Sequence, residues 1–264
     1  MTGPATPGDG AFAFADVAGR LADAAARVAM KYFRRDLAVD DKTDRSPVTG
    51  ADREAEAAMR DILGAAFPEH GVYGEELGKV RIDAEYVWVL DPIDGTQSFV
   101  TGKPLFGTLI ALTRRGVPVL GVMDAPALNE RWIGIEGRPT TFNGAPARVR
   151  GCAELDQAWL YATSPQMFPG GDFDAFERLR ARVRRAVYGA ECYAYGLLAS
   201  GHVDLVAEAT MAPYDFLALA PIVAGAGGVI TDWGGEPLTL ASGSRVLAAG
   251  DARIHGPALE VLAG

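Results

Sequence analysis

The apolar run Tyr86-Val87-Trp88-Val89-Leu90 breaks off into Asp91-Pro92-Ile93-Asp94-Gly95-Thr96, and this junction constrains the chain more than any other stretch. Apolar residues without polar alternation read as a buried strand. Pro92 fixes φ and cannot donate to a ladder, so the strand is expected to stop at Asp91 and to place that carboxylate at the end of a sheet. Asp94-Gly95 supplies a tight turn that lets Asp94 fold back toward Asp91. A buried sheet needs a chain large enough to cover it. With 264 residues, 49% apolar and 22% charged, the composition is that of a globular protein of one large or two small domains. Disordered, collagen-like and coiled-coil chains are excluded.

Periodicity organises the remainder. Residues 1–10 are expected to fray. Val17, Leu21, Ala24, Ala25 and Val28 fall at helical spacing within Phe14 to Arg35. After the polar stretch from Asp40 to Gly50, Thr49 and Asp52 have the spacing of a capping box for a second helix through Ala55, Met59, Ile62 and Leu63. Short apolar runs bounded by Gly, Pro and Asp predict strands at 86–90, 107–112, 117–123 and 131–135, followed by turn signals that include Asn143-Gly144. Further strands are expected at 158–163, 203–208 and 228–232, and helices at 174–183, 193–200 and 213–226. Mixed α and β elements in layers fit this pattern. The expected division is an N-terminal α/β part, 1–150, and a C-terminal α/β part, 151–264.

Composition removes several function classes. Two cysteines, Cys152 and Cys192, and three histidines are too few for a zinc cluster or a disulfide framework. The formal net charge of −9 leaves no electrostatic footprint for nucleic acid. The longest chargeless apolar stretch, Phe216 to Thr231, falls short of the roughly 20 residues that a membrane span needs and contains Pro221. No apolar h-region precedes Arg20, so neither a secretory leader nor a membrane partner is expected, and the expected compartment is the cytoplasm.

Acidic residues concentrate in four places: Gly74-Glu75-Glu76, Asp91 to Asp94, Asp215 and Asp52. Taken singly, each has an ordinary explanation. Asp215 reads as a helix N-cap, Asp52 as the N3 member of a capping box, Glu75 and Glu76 as solvated acids, and Asp94-Gly95 as a turn. Taken together they read differently. Two carboxylates three residues apart across a turn, with the Ile93 carbonyl beside them, can face one point. Hard oxygen ligands without His or Cys suit Mg²⁺, which shares its coordination with water and phosphate oxygens. Glu75 and Asp215 bring enough charge for two or more ions, and without metal the acids would raise one another's pKa. The spacing Asp-x-x-Asp differs from the Asp-x-Asp-Gly-Thr of phosphatases with a covalent Asp nucleophile, so that mechanism is disfavoured.

Gly74-Glu75-Glu76, Asp91-Pro92-Ile93-Asp94-Gly95-Thr96 and Tyr214-Asp215 with Gly225-Ala226-Gly227-Gly228 together resemble the inositol monophosphatase superfamily of Mg²⁺-dependent, lithium-sensitive phosphatases. The motifs occur in family order over about Phe14 to Gly250. The resemblance implies a layered α-β-α-β-α sandwich and a homodimer. It implies that Glu75, Asp91, the Ile93 carbonyl and Asp94 bind a first metal, and Asp91, Asp94 and Asp215 a second. Glu75 with Thr96 then orients the attacking water, with a possible third metal, and the N–H groups of Gly95 and Thr96 hold the phosphate. Mn²⁺ is a possible substitute. Lys42 and Asp52 match positions beside the metals. The family's usual Trp-Asp is Tyr214-Asp215 here.

Within the superfamily, Gln97 to Leu112, Asn129-Glu130-Arg131-Trp132, Cys192-Tyr193-Ala194-Tyr195-Gly196 and Pro213-Tyr214-Asp215 are most similar to the histidinol-phosphatase branch, with Glu191 where that branch commonly has Asp. Histidinol phosphate carries an amine and an imidazole, which Glu191 and Glu208 can pair with. Glu208 reads equally as a strand-end surface acid, and Cys192 as a small buried hydrophobe. The expected reaction is hydrolysis of a small phosphate monoester by metal-activated water, without a phosphoenzyme. An inositol phosphate, a sugar bisphosphate and a 3′-phosphorylated adenosine nucleotide stay open as substrates, as does a catalytically silent metal-dependent binding protein. A structural Ca²⁺ site lacks the EF-hand spacing.

Overall fold

Alternate residues of the run at 86–90 enter two different cores. Val87 and Val89 join one buried cluster, and Trp88 and Leu90 another. This is the period-2 geometry of a strand covered on both faces, and it explains the missing polar alternation. The computed structural model describes residues 7–35, 39–41 and 47–264. In chain order the elements are α1 (Pro7–Tyr32), β1 (Val39–Asp41), β2 (Pro47–Thr49), α2 (Gly50–Ala66), β3 (Gly71–Gly74), β4 (Gly78–Val80), β5 (Tyr86–Asp94), α3 (Thr96–Val100), β6 (Gly107–Arg114), β7 (Val117–Ala125) and β8 (Glu130–Ile135). There follow β9 (Thr141–Phe142), β10 (Ala145–Pro146), β11 (Trp159–Ala162), α4 (Gly171–Arg182), β12 (Arg185–Tyr188), α5 (Tyr193–Ala199), β13 (Leu205–Glu208), α6 (Pro213–Phe216), α7 (Leu219–Gly225), β14 (Val229–Asp232), β15 (Val246–Ala249) and α8 (Ala252–Ala263).

Two sheets carry the architecture. The larger runs β10-β9-β8-β7-β6-β5-β3-β4, with β3 parallel to β5 and its other neighbours antiparallel. The smaller runs β12-β11-β13-β15-β14, with β11 parallel to both of its neighbours. Helices α1 and α2 place Leu21, Ala25, Met59 and Leu63 against Trp88, Leu90, Ile110 and Val122 on one face of the large sheet. The opposite face, through Val89, Leu109 and Met123, packs on α5 and α7, which also cover Val206, Val246 and Ala248 of the small sheet. The outer face of the small sheet buries Leu160, Leu205 and Leu247 against Phe176 and Leu179 of α4 and Ile254 and Leu262 of α8. The result is a layered α-β-α-β-α sandwich. Each fully buried Leu, Ile or Val in these layers contributes roughly 1.5–3 kcal/mol.

The middle layer sits unusually close to the large sheet. A Cβ on Gly121 would lie 1.9 Å from the Ala218 carbonyl oxygen, and one on Gly134 would lie 2.4 Å from the backbone of Pro221 and Ile222. Only glycine lets the α6–α7 segment, which begins just before Asp215, seat itself directly on β7 and β8.

Several expectations need correction. β5 does not stop at Asp91. It continues to Asp94 through a bulge, with Asp91 opposite Leu109 and Asp94 opposite Gly107, so that three steps on β5 meet two on β6. Pro92 is tolerated in that bulge, and its carbonyl accepts from Thr108 Oγ1 at 2.8 Å. The helix expected from Phe14 starts at Pro7, inside the segment expected to fray. The helix expected over 213–226 is two, α6 and α7, because Pro221 has no N–H for the Leu217 carbonyl. Strands β1, β2, β3, β4, β9, β10, β12 and β15 and helices α3 and α8 were not expected as elements. The Asn143-Gly144 turn is present, with φ of 46° and 81°, as a tight connection between β9 and β10 requires. Cys192 is buried, as a small hydrophobe should be. Lys42 and the Thr49 side chain of the expected capping box lie outside the described residues. Among the described residues, no helix is long and apolar enough to cross a membrane.

Candidate active site

The bulge in β5 does what a strand end was expected to do. It turns Asp91 and Asp94 toward one point while both stay anchored in the ladder. Asp91 is buried, and its Oδ1 accepts from the Ile93 N–H at 3.1 Å. Asp94 Oδ2 accepts from the Cys192 N–H at 2.8 Å. Asp215 is not the N-cap of α6. It is the third residue of that helix, and its Oδ2 reaches back to the Ala212 N–H at 2.7 Å. Asp91, Asp94 and Asp215 each offer a carboxylate oxygen within 4.8 Å of the others.

Burial raises the Asp91 carboxyl well above the ordinary range, and the charges of Glu75, Asp94 and Asp215 raise it further. Burial and the Asp94 charge do the same to Asp215. Asp94 is pushed up to about 6 by burial, with the bonds to Cys192 pulling the other way. Three acids, Asp91 buried and Asp94 and Asp215 half-buried, that destabilise one another's charge form a site that a divalent cation relieves. An all-oxygen donor set of this kind fits Mg²⁺ or Mn²⁺.

Glu75 stands beside this trio and reaches Asp91 by charge and hydrogen bond. It follows β3, and its N–H donates to the Leu90 carbonyl at 3.1 Å. Sequence reasoning missed the residue behind it. Glu56 of α2 is fully buried and accepts from the N–H groups of Glu76 and Leu77 at 2.7 and 3.2 Å. The available signal was an acid at the buried helical position next to Ala55, four residues before Arg60. Asp52, one turn earlier on the same face, is also buried. The Ile93 carbonyl accepts from Thr96 Oγ1 at 3.2 Å, and its second lone pair can still reach an ion. Gly95 has φ of 79°, which suits the absence of a side chain where the strand becomes α3.

Glu75, Asp94, Gly95, Thr96, Glu191, Glu208 and Asp215 line one cavity of about 380 Å³, together with Thr163 and Gln166. That volume suits a small ligand. Glu191 packs over Gly95, where a Cβ would lie 2.7 Å from its Cγ, and it accepts from Ser98 Oγ at 2.6 Å. Lys103 Nζ stands 3.7 Å from the same carboxylate oxygen. Glu208 is not the surface acid that its place at a strand end allowed. It is 3% exposed, and its carboxylate accepts from Thr163 N–H and Oγ1 at 3.0 and 2.5 Å and from Tyr195 Oη at 3.0 Å. Burial pushes it up to about 7 against those bonds.

A profile of the inositol monophosphatase family matches residues 13–262. The chain belongs to the inositol monophosphatase family. It is 52% identical over 258 residues to the chloroplastic bifunctional phosphatase IMPL2 of Arabidopsis thaliana, covering 94% of this chain and 75% of that protein. It is 36% identical over 218 residues to a histidinol-phosphatase of Chlorobaculum parvum, covering 82% and 84% of the two chains. An inositol monophosphatase structure from Zymomonas mobilis superposes with a TM-score of 0.88 at 48% identity, over 94% of this chain and 97% of that one. As a member of this family, the chain is a metal-dependent phosphoric monoester hydrolase.

Proposed function

We propose that this family member hydrolyses L-histidinol phosphate to L-histidinol and phosphate, a reaction of histidine biosynthesis, with two or three Mg²⁺ ions per site. One observation carries the reading. The cavity lined by Asp94 and Asp215, with the Asp91 carboxylate within 4.8 Å behind them, also presents the carboxylates of Glu191 and Glu208. Two acids suit the ammonium and imidazole of histidinol better than the neutral hydroxyls of an inositol. The histidinol-phosphatase relative supports the same substrate.

In this reading Glu75, Asp91, the Ile93 carbonyl, Asp94 and Asp215 hold the metals. Divalent ions bound there supply positive charge to the phosphoryl, attacking and leaving oxygens. Glu75 and Thr96 orient the water that attacks phosphorus, and the N–H groups of Gly95 and Thr96 hold the phosphate. Water adds to phosphorus as the bond to the alcohol oxygen breaks, and one proton of that water passes to the leaving alkoxide. No residue is phosphorylated. Residues 1–150 then contribute most of the metal-binding groups, and residues 151–264 contribute Asp215 and the substrate contacts. Asp52 supports the metal side from α2. The reading includes a homodimer, supported by the family likeness and checked by sedimentation.

The deciding experiment compares kcat/KM for histidinol phosphate and inositol 1-phosphate in Mg²⁺. A clear preference for histidinol phosphate is expected, and a preference for the inositol ester removes the substrate assignment. An inositol monophosphate is the second reading, supported by the likeness to the Zymomonas mobilis structure.

A further inference from the structure

The turn that carries Glu75 is built around a buried charge. Glu56 Oε2 accepts from the Glu76 N–H at 2.7 Å, and Oε1 accepts from the Leu77 N–H at 3.2 Å and from Arg60 Nε at 2.7 Å. The Arg60 guanidinium continues to the Gly78 carbonyl, so one acid–base pair on α2 spans the β3–β4 turn. On the near side, a Cβ at Gly74 would lie 1.8 Å from Glu56 Oε1. The Glu75 N–H itself is held by the Leu90 carbonyl. The backbone at 75–77 is therefore fixed at three successive amides, two of them by Glu56.

A well-packed apolar side chain at 56 would serve stability as well or better, because a buried ion pair repays its desolvation only with full pairing. What the carboxylate adds is direction, since hydrogen bonds to consecutive amides set where the preceding side chain can point.

We propose that Glu56, held by Arg60, is a positioning residue that aims Glu75 at the carboxylates of Asp91, Asp94 and Asp215 and thereby sets metal affinity. The proposal rests on the reading of Glu75 as a metal ligand, and the test separates the two.

Mn²⁺ binding to the purified full chain is followed by electron paramagnetic resonance for wild type, Glu56→Gln, Glu75→Gln and the double variant. Glu56→Gln is expected to weaken binding roughly 10- to 100-fold, the usual effect of losing a group that orients a ligand. The double variant should bind no more weakly than Glu75→Gln alone, because Glu56 acts through Glu75. Wild-type affinity in Glu56→Gln, or losses that multiply in the double variant, overturns the proposal while leaving Glu75 a ligand. Unchanged affinity in Glu75→Gln overturns both. If Glu56→Gln does not fold, Glu56→Asp keeps the charge but falls short of the two amides. The same weakening is then expected, and wild-type affinity is the contrary result.

Discussion

The Cys192 N–H donates to Asp94 Oδ2 at 2.8 Å, joining positions 98 residues apart in the chain. Tyr193 Oη, one residue on, donates to Glu130 Oε2 at 2.7 Å, and Tyr195 Oη donates to Glu208. The segment at 191–195 thus ties the bulge of β5, the end of β8 and the floor of the cavity together.

Replacing Asp94 with Asn keeps an oxygen for the Cys192 N–H and removes the charge that a divalent ion needs. Asp94→Asn is expected to fold with an unchanged far-UV spectrum and to lose on the order of 10³-fold or more in Mg²⁺-dependent kcat. Steady-state phosphate release checks this. Retention of most of the activity would mean that Asp94 is not a metal ligand.

The pH dependence of metal stabilisation follows from the raised carboxyls. Asp91, Asp94 and Asp215 have folded pKa values above their unfolded ones, and Asp94 stands at about 6. Such groups stabilise the metal-free fold below the unfolded value near 4, and that contribution is lost as pH rises through the folded value. Mg²⁺ takes the deprotonated cluster and should restore it. The gain in Tm on adding Mg²⁺ over EDTA is expected to be small at pH 5 and to grow toward pH 8, measured by differential scanning fluorimetry. A gain that shrinks over that interval contradicts the site.

Glu208→Gln leaves the metal trio alone and removes a buried charge from the cavity floor. For histidinol phosphate, kcat/KM should fall roughly 30-fold or more, as when one partner of a desolvated charge pair is lost. The Mg²⁺ activation curve should not move. An equal loss on an ester without a cationic group argues against a substrate contact.

Gly134→Ala tests the seat of the middle layer. The added methyl meets the backbone of Pro221 and Ile222, which cannot turn aside as a side chain can. A loss of about 1–3 kcal/mol or more is expected from urea unfolding. Metal affinity should weaken as well, since α7 begins four residues after Asp215 and a shift of its seat is passed to that segment.

His70 adds a second pH effect of opposite sign. Its Nδ1 accepts from Trp88 Nε1 at 3.1 Å, its ring stacks on Phe67, and burial lowers its pKa. A depressed histidine stabilises the fold above its unfolded value near 6.5, and the contribution is lost as pH falls through the folded value. His70→Gln should be less stable at pH 8, and its Tm should depend less steeply on pH between 7 and 5 than wild type does. Parallel Tm profiles for the two proteins contradict this.

The expected strands within 86–135 and the helices at 174–183 and 193–200 were legible because each has its own period of apolar residues. The bulge at Pro92 was not, because whether a proline ends a strand or is absorbed depends on the neighbouring strand, here β6 through Thr108. The division of 213–226 into α6 and α7 had a local signal in Pro221, but helical spacing on both sides concealed it. Glu56 and Glu208 were ambiguous for a different reason. A single acid carries no mark of burial, and only its partners at Glu76 and Leu77, or at Thr163 and Tyr195, show that it is held inside.

The sequence by itself determined the family, the mixed α and β class and the short motifs that carry acids, because these depend on residue type and spacing over a few positions. Tertiary structure alone decided that Asp91 and Asp94 meet Asp215 within 4.8 Å, and that Glu191 and Glu208 face the same cavity. Those distances are set by the layers: glycines at 121 and 134 let α6 and α7 lie on the large sheet, and the small sheet is packed behind them. Convergence of residues more than a hundred positions apart is a property of that packing and is absent from any local pattern.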